Sequence, residues 1–296
     1  MNLDTLVARV DERMRLEDHH EGVVWVSPNV ALTGRRGPTE IRADLYEPVV
    51  CLILQGAKEL SAGDKTMAMG PGQCLLVTHD IPVSACITEA SPQRPYLSLV
   101  LRLDVGVLRS LYEEVSDVPD SRVPAQSAGV HDADAALIDA FARMVALSEE
   151  PAERRVIEPM LLREIHFRLL MAPHGGMLRQ LLRHDSHASN VARAIRRIRS
   201  DFRTAIAVAD LASEAGMSVS SFHKHFREIT ASTPLQYQKE LRLLEARRLL
   251  ATGDQPVTMV AYNVGYSSPN QFSREYARKF GVSPRTHLAS TSARQP

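Results

Sequence analysis

Two sets of side chains near the C-terminus are of the kinds that read nucleic acid. Ser220, Ser221, Lys224 and Arg227 belong to AVADLASEAGMSVSSFHKHFREITASTP, and Asn270, Gln271, Arg274 and Arg278 to PVTMVAYNVGYSSPNQFSREYARKFGVSP. A guanidinium donates to guanine O6 and N7, Asn and Gln pair with adenine, and Lys and Ser hold phosphates. A basic face on one helix is often only a solvated surface. Two such faces, each behind a glycine turn, are the expected footprint of a duplex reader.

Those side chains need elements that turn them outward, and the apolar spacing supplies them. In the first segment Val208, Leu211, Ala212 and Ala215 form one face of a short helix that stops at Gly216. Ser218 then stands where an N-cap belongs, ahead of a second helix whose inner stripe is Phe222, Phe226 and Ile229. The second segment repeats the plan. Val257, Val260, Ala261 and Val264 precede Gly265; Ser268, Pro269 and Gln271 read as an S-x-x-Q capping box; Phe272, Tyr276 and Phe280 face inward; Gly281 and Pro284 end the helix. Helix, glycine turn and helix is the helix-turn-helix layout, expected over about 207–229 and 257–281. Between the copies, PLQYQKELRLLEARRLLATG reads as a helix of about 16 residues, roughly 24 Å long. That length suits two readers on successive major-groove faces, about 34 Å apart.

Charge follows the same division. The 296 residues carry 35 Lys+Arg and 35 Asp+Glu, but residues 191–296 hold 16 basic against 8 acidic side chains, so residues 1–190 are acidic. Such asymmetry implies a basic module for a polyanion and an acidic one for another task. The hydrophobic content of 44% is ample for two cores. The charged N-terminus lacks a signal-peptide core, and no apolar run is long enough to span a membrane. Cys51, Cys74 and Cys86 lack CxxC spacing, which fits a reducing cytoplasm.

Residues 22 to about 103 carry strand signals: GVVWVS, VVCLILQ, QCLLVT and YLSLVLRL, with Pro38, Pro48, Pro71, Pro82, Pro92 and Pro95 between runs. An antiparallel sandwich or small barrel follows. DVGVLRSLYEEV, DADAALIDAFARMVAL and ERRVIEPMLLREIHFRLLM then read as amphipathic helices, and a helix over 187–201 carries Arg193, Arg196, Arg197 and Arg199. No nucleophile elbow, phosphate loop or dinucleotide fingerprint is present, so catalysis is not expected. A metal site would need several convergent ligands. His79 in VTHDIP suits hydrogen bonds in a turn, and the HHE at 19–21 precedes the sheet. Cys51, Cys74 and Cys86 read as small core residues. None has an adjacent Lys or Arg to stabilise a thiolate, which leaves a redox or electrophile switch as a subsidiary hypothesis.

Residues 207–285 resemble the DNA-binding domain of the AraC/XylS family of bacterial transcription regulators. In VGYSSPNQFSREYARKFGVSPR the residues Gly265, Phe272, Ser273, Arg274, Phe280, Gly281, Ser283 and Pro284 stand where the family signature has them, and THL after Arg285 departs from it. The segment from LYEPVVCLILQ to YLSLVLRLD resembles the N-terminal domain of one AraC-family subgroup, which implies a cupin-like sandwich that senses a small molecule. The expectation is an α+β protein. Residues 1–184 form a cupin-like antiparallel β-sandwich or barrel with helices, which senses an effector and dimerises. Residues 185–296 form an all-α domain with two helix-turn-helix motifs. The partners implied are double-stranded DNA, a small-molecule effector whose binding residues are unknown, a second copy of the chain and RNA polymerase, with no cofactor or metal and no membrane. The helices at 131–171 are the expected place for switching. The alternative is a cupin-fold metalloenzyme or ligand-binding protein with accessory DNA-binding helices.

Overall fold

The computed structural model describes residues 2–16, 22–115, 126–147 and 150–292. After helix α1 (Leu3–Leu16) come nine strands: β1 (Gly22–Trp25), β2 (Val30–Arg35), β3 (Arg42–Tyr46), β4 (Val49–Gln55), β5 (Ala57–Ala62), β6 (Lys65–Met69), β7 (Gln73–Val77), β8 (Ile81–Glu89) and β9 (Tyr96–Arg102). Helix α2 (Val105–Glu114) and strand β10 (Ala128–Asp132) lead to helices α3 (Ala135–Ala146), α4 (Pro151–Met171) and α5 (Gly176–Leu182).

The strands pair antiparallel in two sheets, one of order β1-β2-β9-β4-β7-β10 and one of order β3-β8-β5-β6. The larger sheet is covered on both faces. Val49, Cys51 and Ile53 face the smaller sheet, while Val50, Leu52 and Leu54 meet the helices α1 to α5. Hence β4 is an unbroken apolar run rather than an alternating one. The smaller sheet buries one face only, and its strands AKELSA and KTMAM alternate with polar residues.

That difference explains what the apolar-run reading found. It located β1, β4, β7 and β9, while the half-polar strands of the smaller sheet lack such runs. Pro82 lies inside β8 rather than between strands. Only β3 pairs with it there, since pairing to β5 begins at Ser84, so its missing N–H costs the sheet nothing. Residues 131 and 132 belong to β10, so the helices expected at 131–171 begin at Ala135.

The remaining chain is helical: α6 (His187–Asp201), α7 (Val208–Glu214), α8 (Val219–Thr230), α9 (Pro234–Thr252), α10 (Val257–Asn263), α11 (Pro269–Phe280) and α12 (Pro284–Ser292). It holds two small cores. Phe222, Phe226 and Tyr237 centre one, with Leu45 of β3 packed against it; Phe272 and Tyr276 centre the other.

Candidate nucleic-acid interface

Both helix-turn-helix units form as the spacing predicts. Gly216 and Gly265 adopt φ of +66° and +91° after α7 and α10, a region open to glycine. At Gly265 a side chain is excluded twice over, because a Cβ would stand 2.1 Å from the Arg203 carbonyl oxygen. Ser218 Oγ accepts from the Ser221 N–H and Ser268 Oγ from the Gln271 N–H, each at 3.3 Å. The capping box is only half made, since the Gln271 side chain donates forward to Glu275 at 3.3 Å. Phe222, Phe226, Phe272 and Tyr276 are wholly buried, while Phe280 is half-buried at the edge of its core.

Helix α9 has 19 residues rather than 16, about 28 Å of rigid separation. It is tied to both units. Gln238 and Arg242 donate to the carbonyls of Phe202 and Thr204, and Lys239 pairs with Glu275 of α11 at 3.2 Å. Lys279 of α11 reaches back to Glu240. These cations serve the fold, so the basic excess of this half overstates what is free for a polyanion. The THL departure packs well: His287 Nδ1 meets Tyr276 Oη at 2.5 Å, and Leu288 joins the second core.

Of the sequence-predicted contact residues, Ser220, Lys224, Arg227, Asn270, Gln271, Arg274 and Arg278 are exposed, and Ser221 is half-buried. The two faces differ in freedom. On α11, Arg274 and Arg278 make no ion pair among the described residues. On α8, Lys224 lies 4.0 Å from Glu228, and Arg227 reaches 3.4 Å to Asp64 at the tip of the β5–β6 hairpin.

That ion pair belongs to a broad contact between the sandwich and the helical half. Ser127 N–H donates to Ile229 O at 2.8 Å, and the Tyr237 hydroxyl donates to Asp80 O at 2.6 Å. Arg199 pairs with Asp80 at 2.7 Å and with Glu47 at 3.1 Å. The predicted basic helix α6 thus spends Arg199 on the sandwich. The contact runs through β3, β8 and the β5–β6 hairpin, while α3 and α4 pack on one another beyond the opposite sheet.

His79 sits in this contact, buried. Its Nε2 meets Ala188 O at 3.1 Å and its Nδ1 meets Thr78 Oγ1 at 2.8 Å, so it makes the hydrogen bonds expected of it. Burial lowers its pKa to about 4, the Ala188 bond opposing and Arg196 adding to the shift. His19, His20 and Glu21 lie outside the described residues. Among those described, no group of three or more His, Cys, Asp or Glu is placed to hold a metal ion. Cys51 and Cys74 are buried and Cys86 is half-buried; burial pushes the Cys74 thiol upward. Cys51 does have a cationic neighbour, which the sequence reading missed: Lys58 of β5 lines the same cavity between the sheets.

An antiparallel double sheet joined to two helix-turn-helix units with outward polar faces defines a class, the two-part helix-turn-helix regulators. A sequence model of the AraC-type transcriptional regulator N-terminus matches residues 27–177, and one of a helix-turn-helix domain matches residues 211–290. The chain belongs to the AraC-type transcriptional regulators. It is 30% identical over 144 residues to the HTH-type transcriptional activator RhaS of Escherichia coli, covering 48% of this chain and 51% of that one. With RhaS of Escherichia fergusonii the identity is 36% over 84 residues, 28% of this chain and 30% of that one. The chain thus spans about half the length of the E. coli relative it matches. The fold is shared with ToxT from Vibrio cholerae bound to an unsaturated fatty acid, at a TM-score of 0.56 and 12% identity over 88% of this chain and 95% of that one.

Proposed function

We propose that the chain is a sequence-specific DNA-binding regulator of transcription that inserts α8 and α11 into the major groove of double-stranded DNA. The observation that carries this is the pair of capped helices behind positive-φ glycines, each with an apolar face buried and a polar, basic face turned out. In this reading Lys224, Ser220 and Ser221 hold phosphates, and Arg227, Asn270, Gln271, Arg274 and Arg278 reach base edges. Residues 185–296 then act as the DNA-binding part, and residues 1–184 as the part that senses a small molecule and dimerises. The fatty acid named with ToxT and the match to an AraC-type N-terminus support such an effector. RhaS is named an activator, which supports RNA polymerase as a further partner, and cytoplasmic action follows from that role.

Binding of the purified chain to fragments of its own upstream DNA, followed across a salt series, tests the reading. Selective binding that weakens steeply with salt is expected, because phosphate contacts release counterions. Binding with no sequence preference at any salt would reject it.

A further inference from the structure

The cavity between the two sheets holds a cation with no counter-ion. It has a volume of about 320 Å³, within the usual range of small-ligand pockets. Its walls include Trp25, Val49, Cys51 and Arg102 of the larger sheet and Tyr46 and Lys58 of the smaller. Lys58 Nζ donates to Tyr46 Oη at 2.8 Å, and no carboxylate lies within ion-pair distance of it among the described residues. Burial opposes its charge, and the hydrogen bond to the Tyr46 hydroxyl favours the protonated amine. A half-buried ammonium that keeps its charge without a carboxylate is costly unless something anionic joins it.

The rest of the lining agrees. Arg102 has its guanidinium 4.5 Å from the Trp25 ring centroid and makes no ion pair among the described residues. Two carboxylates also line the cavity: Asp44 accepts from the Leu45 N–H at 2.8 Å, and Glu47 is paired with Arg199 of α6. A half-buried cation, a second, exposed one and a half-exposed indole at the opening form a receptor for a compact organic acid.

We infer that this cavity binds a small aromatic or short-chain carboxylate, its anionic head on Lys58 and Tyr46 and its apolar body against Trp25 and Val49. This rests on the reading that the N-terminal part senses an effector, and it names the site and the ligand class. It also supplies a route to the DNA-binding half. Tyr46 of the cavity is followed directly by Glu47, which grips Arg199, and is preceded by Leu45, which packs into the α6–α9 core. A ligand that repositions Tyr46 moves both contacts.

Trp25 is the sole tryptophan of the chain, so its fluorescence reports on this cavity alone. Titration with benzoate and hexanoate, against benzamide and hexanamide, tests the inference. A saturable Trp25 response to the acids and none to the amides is expected. Lys58→Met, which keeps the apolar stem, should weaken the acids at least tenfold, and Lys58→Arg should restore part of the affinity. Unchanged melting and DNA binding of both variants show that they fold. Equal response to acids and amides, no response to either, or undiminished binding to Lys58→Met each overturns the site. For the route, bound benzoate should shift operator affinity, and Glu47→Gln should shrink that shift while Trp25 still reports binding. Operator affinity indifferent to the bound acid overturns the route. DNA binding by the unliganded chain is measured separately, so failure here is distinguishable from failure of the regulator reading.

Discussion

At the scale of single residues, the two reader helices are not equivalent. Arg274 is exposed and makes no ion pair among the described residues, whereas Arg227 already holds Asp64. Arg274→Ala should therefore cost about 1–3 kcal/mol of operator binding and relax the preference at one base pair. Competition with single-base operator variants checks this; unchanged affinity and preference would remove Arg274 from the interface. His79 yields a second prediction. Its folded pKa, about 4, lies below the ordinary 6.5, so the unfolded chain takes up the proton first as pH falls. The stability it contributes is complete above pH 6.5 and is lost on the way down to pH 4. By pH 5 the loss should be about 2 kcal/mol. Denaturant melts at pH 7.5 and pH 5 check this, and His79→Gln should shrink the difference by about that amount while His174, whose pKa burial also lowers to about 4, keeps its share.

The elements divide into those whose burial writes itself into sequence and those whose burial does not. The helix-turn-helix units were legible because a reader helix must bury aromatics on one face, cap at a serine and turn at a glycine, all within about thirty residues. Strand β4 was legible because both its faces are covered. Lys58 was missed, although β5 carries the signal: Lys58 shares the parity of Leu60 and Ala62, which point into the sandwich. A lysine in register with two core residues marks a cavity, but only once AKELSA is known to be a strand. The contact of the sandwich with α6 and α8 was not legible at all. It depends on pairs such as Arg199 with Asp80, more than a hundred residues apart, and no local period encodes them.

Helix α4 shows an element with a face to spare. Val156, Met160, Phe167 and Met171 fall on one side of it and are exposed, Val156 and Met160 by more than 60%. We propose that a second copy of the chain covers this side, in keeping with the dimer expected from sequence. Sedimentation at micromolar concentration should find a dimer for the native chain and a monomer for Met160→Glu with its fold intact. A native chain that stays monomeric at tens of micromolar would exclude α4 as the contact. Separately, the core that α6 joins is distinct from the layer holding α4, so loss of the dimer should leave the helical half folded.

For the molecule as a whole, the opposite charges of its two halves have a consequence beyond attraction to DNA. They also attract each other, and the structure shows the result in Arg199 with Asp80 and Glu47 and in Arg227 with Asp64. The hairpin tip is seated closely: Gly63 has φ +58°, and a Cβ there would stand 1.9 Å from the Ala231 carbonyl oxygen at the end of α8. The Asp64 carboxylate consequently lies beside a side chain proposed to meet DNA, where it competes with the base edges for Arg227 and repels the phosphates. Exposed pairs of this kind are worth about 0.2–1 kcal/mol, so Asp64→Asn should raise operator affinity by about 1.4- to fivefold. The cycle with Arg227→Ala decides whether the gain passes through this pair. If Asp64 acts by holding Arg227, then Asp64→Asn should add little in the Arg227→Ala background. An equal gain in both backgrounds would mean that Asp64 repels the duplex at long range, and raising the salt would then erase the gain. No gain in either background would mean that DNA binding leaves the hairpin tip and α8 together, with the operator read chiefly through α11.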